Sequence, residues 1–117
     1  MDGEISTEDV HDLIESEEDV RIVDIRPEPQ FDGGHIPGSE NIPFHMLPRR
    51  VSELNDADRV VTVCPLGKSS VQAARLIGSY EGVSGDVPVE SMAGGLTDWE
   101  YELESSDSTE REQDAPF

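Results

Sequence analysis

The chain has 117 residues, with 27 Asp and Glu against 8 Lys and Arg, a formal net charge of −19. That length suits one domain with a real core. A surface this acidic repels nucleic acid and anionic membranes, so neither is expected as a partner. The first residues lack the basic and apolar regions of a secretory leader, and no apolar stretch approaches the ~20 residues of a membrane span, so the chain is expected in the cytoplasm.

Ser6-Thr7-Glu8-Asp9-Val10-His11-Asp12-Leu13-Ile14 starts with a hydroxyl cap and acids in the first turn, then apolar residues at helical spacing, and predicts a helix. Val20 to Ile25 predicts a core strand, which Pro27 and Pro29 stop because neither can donate to a ladder. Gly33-Gly34-His35-Ile36-Pro37-Gly38 is turn chemistry, residues 39–43 are expected to be extended, and 44–54 to hold a short helix. Arg59 to Val63 is β-branched and reads as a buried strand ending at Cys64; residues 70–80 read as its following helix, capped by Ser69 or Ser70. Residues 82–86 are expected to form a loop. Val87 to Met92 predicts an edge strand, since Pro88 fits poorly in a central one. Gly94-Gly95 ends it, and 96–103 suggests a last helix carrying Trp99 into the core. From Ser105 on, the Ser/Asp/Glu-rich composition predicts a disordered tail, leaving a domain over 1–104 and a tail over 105–117.

Strands alternating with helices imply an α/β fold with a mostly parallel central sheet and helices on both faces. Ligands bind such sheets beyond the carboxyl ends of the strands, and Asp24 and Cys64 both fall there. Cys64 is the only cysteine, so no intrachain disulfide can form. A free cysteine often packs as a small hydrophobe. Here, however, it opens the loop Cys64-Pro65-Leu66-Gly67-Lys68-Ser69-Ser70 at a strand–helix junction, with the only lysine of the chain beside it. Backbone N–H groups and a helix N-terminus converge at such a junction and favour thiolate.

Gly67 is read as permitting a positive φ and close approach to an anion. Asp24 and Arg26 read equally as a pair that braces the loop or shapes a substrate mouth, and as a structural salt bridge. His35, within a Gly-His-Ile-Pro-Gly turn, reads as a structural hydrogen-bonding residue rather than a base for Cys64; His11, on a helix among acids, reads as solvated, and His45 has no evident partner. No His/Cys/Asp spacing suits a metal. The acidity itself reads as solvation for a salt-rich, halophilic cytoplasm in preference to a docking surface for a basic partner, because it is spread along the chain.

Three segments together resemble the single-domain rhodanese-like sulfurtransferase family. Asp24-Ile25-Arg26, Gln30-Phe31 and Gly34-His35-Ile36-Pro37-Gly38-Ser39-Glu40-Asn41-Ile42-Pro43 are similar to its D-x-R and G-H-I-P-G-A-x-N-I-P signature. Cys64 to Ser70 with Ala73-Ala74 is similar to its active-site loop, C-x-x-G-x-R-S-x-x-A, and Met92-Ala93-Gly94-Gly95-Leu96 with Trp99 to its L-x-G-G-x-x-x-W. The resemblance implies a rhodanese-like fold and a sulfurtransferase or sulfur carrier. Sulfane sulfur would move from thiosulfate or a protein persulfide donor, through a Cys64 persulfide, to cyanide or a thiol acceptor such as thioredoxin. It implies Cys64 as nucleophile and Pro65, Leu66, Gly67, Lys68, Ser69 and Ser70, with Asp24 and Arg26, around the substrate. No cofactor or metal is implied, and a monomer is expected. Family members often carry arginine where this chain has Ser69, which puts thiosulfate preference in question more than sulfur transfer. The alternatives are a non-catalytic docking module of the same fold and a Cdc25-like phosphatase. The phosphatase is disfavoured because no arginine closes the cradle from Cys64 to Ser69, and a phosphate needs more room and more positive charge.

Overall fold

The computed structural model describes residues 2–17, 19–80, 83 and 87–105. Five strands, β1 (Asp2–Ile5), β2 (Arg21–Asp24), β3 (Glu40–Asn41), β4 (Val60–Val63) and β5 (Val89–Met92), form one sheet of order β1-β5-β4-β2-β3. Every pairing is parallel. Parallel neighbours need crossovers, and helices supply most of them: α1 (Thr7–Glu15), α2 (Glu28–Gly33), α3 (Leu47–Arg50) and α4 (Ser69–Ser79). Short 3-10 turns occupy Phe44–Met46, Val51–Leu54 and Gly95–Asp98.

A sheet covered on both faces needs central strands that are apolar throughout, and every residue of β4 is buried. The two-residue period of the strand sorts its side chains. Val60, with Val23 and Val89, packs under Leu47, Val51, Leu54, Ala73, Ala74 and Ile77 of α3, α4 and the turn after α3. Val61 and Val63, with Ile22 and Met92, pack on the other face against Val10 and Trp99. Each fully buried valine contributes about 1.5–3 kcal/mol relative to exposure. Cys64 continues the alternation onto the α4 face and belongs to that core cluster.

Ser6 caps α1 as expected, its hydroxyl accepting from the Asp9 amide at 3.0 Å. Three expectations need correction. β5 is not an edge strand: it lies between β1 and β4, and Pro88 stands just before its first paired residue, where its carbonyl accepts from the Val60 amide at 2.9 Å. The edge on that side is β1, whose few residues include Ile5 as the one apolar side chain and so carry no alternation to read; β3 is the other edge. Neither Ser69 nor Ser70 caps α4; the cap position is Lys68, without a side-chain cap bond. The last helix stops at the 3-10 turn Gly95–Asp98, because the chain beyond it is drawn into an antiparallel bridge between Glu104 and His35. Trp99 is nonetheless buried, while Leu103 is exposed. A further helix, α2, begins within the Pro27–Pro29 segment, where proline suits a first helical turn. The loop expected at 82–86 and the tail beyond Ser105 lie outside the described residues, apart from Val83.

Candidate functional site

β4 delivers Cys64 to the carboxyl rim of the sheet, and the loop 64–68 turns back over it into α4. Cys64 is only 3% exposed, yet its sulfur is surrounded by donors rather than hydrocarbon alone. The Gly67 amide donates to Sγ at 3.1 Å and the Ser70 amide at 3.3 Å, with the Ser70 hydroxyl also at 3.3 Å. The Ser70 amide belongs to the first turn of α4, one of the N–H groups that a helix leaves unpaired. The sulfur therefore fills the place of the missing cap side chain. Burial pushes the Cys64 thiol up; hydrogen bonds from the Ser70 hydroxyl and from the Ser70, Gly67 and Leu66 amides outweigh it and leave the thiol below its ordinary range. The groups that do this are neutral donors fixed by the fold.

The loop is held in shape by backbone contacts from the turn after β5. The Leu96 amide donates to the Cys64 carbonyl at 2.9 Å, and the Thr97 amide and hydroxyl donate to the Pro65 carbonyl at 3.0 and 2.8 Å. Gly67 has φ +83°, as its sequence reading requires, but the backbone it closely approaches is that of Gly94. Gly95, at φ +62°, lies against the Cys64 and Pro65 carbonyls, so neither turn tolerates a side chain there.

The remaining loop residues face outward. Leu66 is 61% exposed, and Pro65, Lys68 and Ser69 are exposed as well. Lys68 forms no ion pair among the described residues. The loop thus presents one apolar side chain and one cation above a polarised sulfur.

Asp24 sits at the end of β2, in register with Val63 of β4 and so on the same rim as Cys64. Its carboxylate is 1% exposed and is taken up by Arg26, whose Nε donates to Oδ1 at 3.0 Å and whose guanidinium donates to Oδ2 at 2.8 Å. The same guanidinium donates to the Gly34 carbonyl at 2.7 Å, and the Asn41 amide side chain donates to the Asp24 and Arg26 carbonyls. These bonds tie β2 to the turn before β3; none runs to residues 64–70. The pair is thus a salt bridge that does not brace the loop 64–70 by hydrogen bonds.

His35 is buried, stacked on Phe31 with ring centres 3.9 Å apart, and its Nδ1 lies 2.7 Å from the Phe31 carbonyl. It is structural, as read. His11 is not simply solvated: its ring stacks on Tyr101 at 3.8 Å and meets the edge of Trp99. His45 is exposed in the turn Phe44–Met46. Among the described residues no cluster of His, Cys, Asp and Glu could hold a metal ion, and no helix is long and apolar enough to cross a membrane. Sequence reasoning missed the loop contact of Leu96, a residue it names only within a motif, and missed Thr97 and Ser91 outright. The Gly94-Gly95 pair signalled the turn that brings the first two onto the loop, while Ser91 lies in a strand whose neighbours the sequence did not reveal.

The profile of the rhodanese-like domain matches residues 6–102, and the chain belongs to that family. It is 33% identical over 99 residues to a sulfurtransferase of Allochromatium vinosum, covering 85% of this chain and 89% of that protein. It is 32% identical over 96 residues to YrkF of Bacillus subtilis, described as a candidate sulfur carrier, covering 82% of this chain and half of the relative's length. In fold it matches the rhodanese-like domain protein of Staphylococcus aureus with a TM-score of 0.73 at 24% identity, over 88% of this chain and 97% of that one.

Proposed function

We propose that the protein is a sulfurtransferase or sulfur carrier that moves sulfane sulfur through a persulfide on Cys64. The observation that carries this reading is the convergence of the Gly67 and Ser70 amides and the Ser70 hydroxyl on one sulfur atom. Such a cup holds a thiolate without a metal and suits an anionic terminal sulfur equally. With thiosulfate as donor, the Cys64 thiolate attacks the outer sulfur, the sulfur–sulfur bond of the donor breaks, and sulfite leaves with the bonding pair. The product is Cys64–S–S⁻. An acceptor thiolate or cyanide then attacks the outer sulfur, forming its own persulfide or thiocyanate and returning Cys64 as thiolate. No net oxidant or reductant is consumed.

The exposed Leu66 and the single cation Lys68 at the mouth suit a persulfide presented by a protein or small thiol at least as well as thiosulfate, since Ser69 offers no guanidinium to a dianion. The protein works without a cofactor, in the cytoplasm and as a monomer in this reading, with the acidic surface serving solvation at high salt. Intact-mass spectrometry after incubation with thiosulfate and, separately, with a glutathione persulfide tests it. One added sulfur is expected in wild type and none in Cys64→Ala. A wild-type protein that gains no sulfur from either donor, and whose thiol resists alkylation, refutes the catalytic reading and leaves the docking module.

A further inference from the structure

Cys64 and Ser91 both project onto the face of the sheet covered by α4. Ser91 pairs in register with Thr62, two residues before Cys64 and on the same face by the strand period. Both Ser70 and Ser91 are 0% exposed, and their hydroxyl oxygens lie 2.7 Å apart. Thr62 is spent elsewhere, donating to the Ser70 carbonyl at 2.7 Å. Ser70 Oγ is the one side-chain hydrogen-bond partner of Ser91 Oγ among the described residues. The three atoms Cys64 Sγ, Ser70 Oγ and Ser91 Oγ therefore form a closed buried chain.

We propose that Ser91 is a positioning residue for the Cys64 sulfur, its hydroxyl fixing the Ser70 hydroxyl as a donor to that sulfur. The hydroxyl hydrogens can run in two directions. When Cys64 is a thiol, its S–H donates to Ser70 and Ser70 donates to Ser91; the Ser91 hydrogen is then left without an acceptor among the described residues. When Cys64 is an anion, Ser91 donates to Ser70 and Ser70 donates to the sulfur, and every hydrogen in the chain is used. A hydroxyl that accepts a hydrogen bond donates more strongly, so Ser91, donating to Ser70, favours the arrangement in which Ser70 donates to an anionic sulfur. The switch needs only two hydroxyl rotations; the proton lost from sulfur leaves to solvent or to the group that binds next. Ser91 makes no hydrogen bond to the sulfur and acts through Ser70.

The ionic surroundings do not supply this preference. On the loop itself Lys68 is exposed; on β2 Asp24 is neutralised by Arg26; on β5 Glu90 is paired with Arg59 at 2.9 Å; Asp98 follows the Gly94 turn, and Arg75 of α4 is exposed. The inference deepens the reading of Cys64 as a working thiolate, and the test reads the thiol itself, so it can fail while sulfur transfer stands, and the reverse.

The experiment is the pH dependence of iodoacetamide alkylation of Cys64 in wild type, Ser91→Ala, Ser70→Ala and the double variant, with Ser91→Thr as the hydroxyl-retaining control and melting curves to confirm folding. The midpoint, rather than the rate, is the readout, because intrinsic nucleophilicity changes with pKa. Ser91→Ala is expected to raise the midpoint by about one unit, a tenfold loss of thiolate at fixed pH below it. The same change in the Ser70→Ala background should move it little, and Ser91→Thr should lie near wild type. A midpoint unmoved by Ser91→Ala, or moved equally with and without the Ser70 hydroxyl, overturns the proposal.

Discussion

Gly67, in the loop that carries the Cys64 sulfur, is in backbone contact with Gly94, in the turn after β5: a Cβ at position 67 would stand 2.8 Å from the Gly94 nitrogen. Two segments far apart in sequence are thus locked together where neither has a side chain, and the amide that Gly67 offers to Cys64 is aimed by that contact. Gly67→Ala must place a Cβ at φ +83° and also push the two turns apart. The expected loss is about 2–4 kcal/mol, combining left-handed strain with overpacking. Urea denaturation measures it, and the alkylation midpoint of the folded variant should rise because the Gly67 amide is displaced. An alanine variant as stable as wild type would contradict the contact.

The sulfur environment also makes stability depend on pH in a definite direction. The folded thiol is lowered, so the unfolded chain binds its proton more tightly in the window between the two values. Stability from this group is absent below the folded midpoint, grows as pH rises through the window, and is complete above the unfolded value of about 8.5. The difference in denaturation midpoint between wild type and Cys64→Ser should therefore widen as pH is raised toward that value. A constant difference across the window would show that the cup does not discriminate thiolate from thiol.

Asp24 and Arg26 are a nearly dry ion pair with shared backbone partners. Arg26→Ala strands the Asp24 carboxylate, 1% exposed, and is expected to cost about 3–5 kcal/mol. Arg26→Lys keeps charge but loses the fork and should cost less. Chemical denaturation ranks the two. Since the pair makes no hydrogen bond to residues 64–70, the alkylation midpoint of Cys64 in folded Arg26→Lys should match wild type; a shifted midpoint would couple the pair to the Cys64 loop.

The net charge of −19 sets the response to salt. Raising ionic strength from 0.1 M to 1 M shortens the Debye length from about 10 Å to about 3 Å and removes most self-repulsion between exposed carboxylates. The melting temperature should climb by several degrees over that range, by roughly 4–8 °C for each 1 kcal/mol recovered in a domain near this size. A flat melting temperature would detach the acidity from salt adaptation.

Some of this fold could be read from local pattern alone. The β-branched run ending at Cys64 is buried on both faces, so its hydrophobicity is continuous and unmistakable. Ser6 and the acids after it announce α1, since capping is chemistry within a few residues. β1 and β5 were harder. β1 has one apolar residue and exists because Gly3 and Glu4 have β5 to pair with. Pro88 looked like an edge marker, but a proline placed one residue before the ladder excludes nothing. The segment after Asp98 has helical spacing and no helix, because its backbone bonds go to His35.

The site divides in the same way. Cys64, the glycine three residues on and the serine six residues on are local geometry, which a strand–loop–helix junction dictates by itself. The serine's role was different from the one its helix-start position suggested: Ser70 turns inward to the sulfur instead of capping α4, because the sulfur already takes up its amide.

What the sequence determined by itself was the alternation of strand and helix, the acidic exterior and the strand–loop–helix junction at Cys64 on which the candidate site is built, all of which depend on composition or on neighbours within a turn or a strand. Tertiary structure alone decided which surfaces meet the Cys64 sulfur: the Gly94-Gly95 turn that shapes its loop, the Ser91 hydroxyl that reaches it through Ser70, and the withdrawal of Asp24 and Arg26 into a brace of their own. These are contacts between segments far apart in the chain, and they exist only once the parallel sheet has set β5 beside β4 and β2 on its other side.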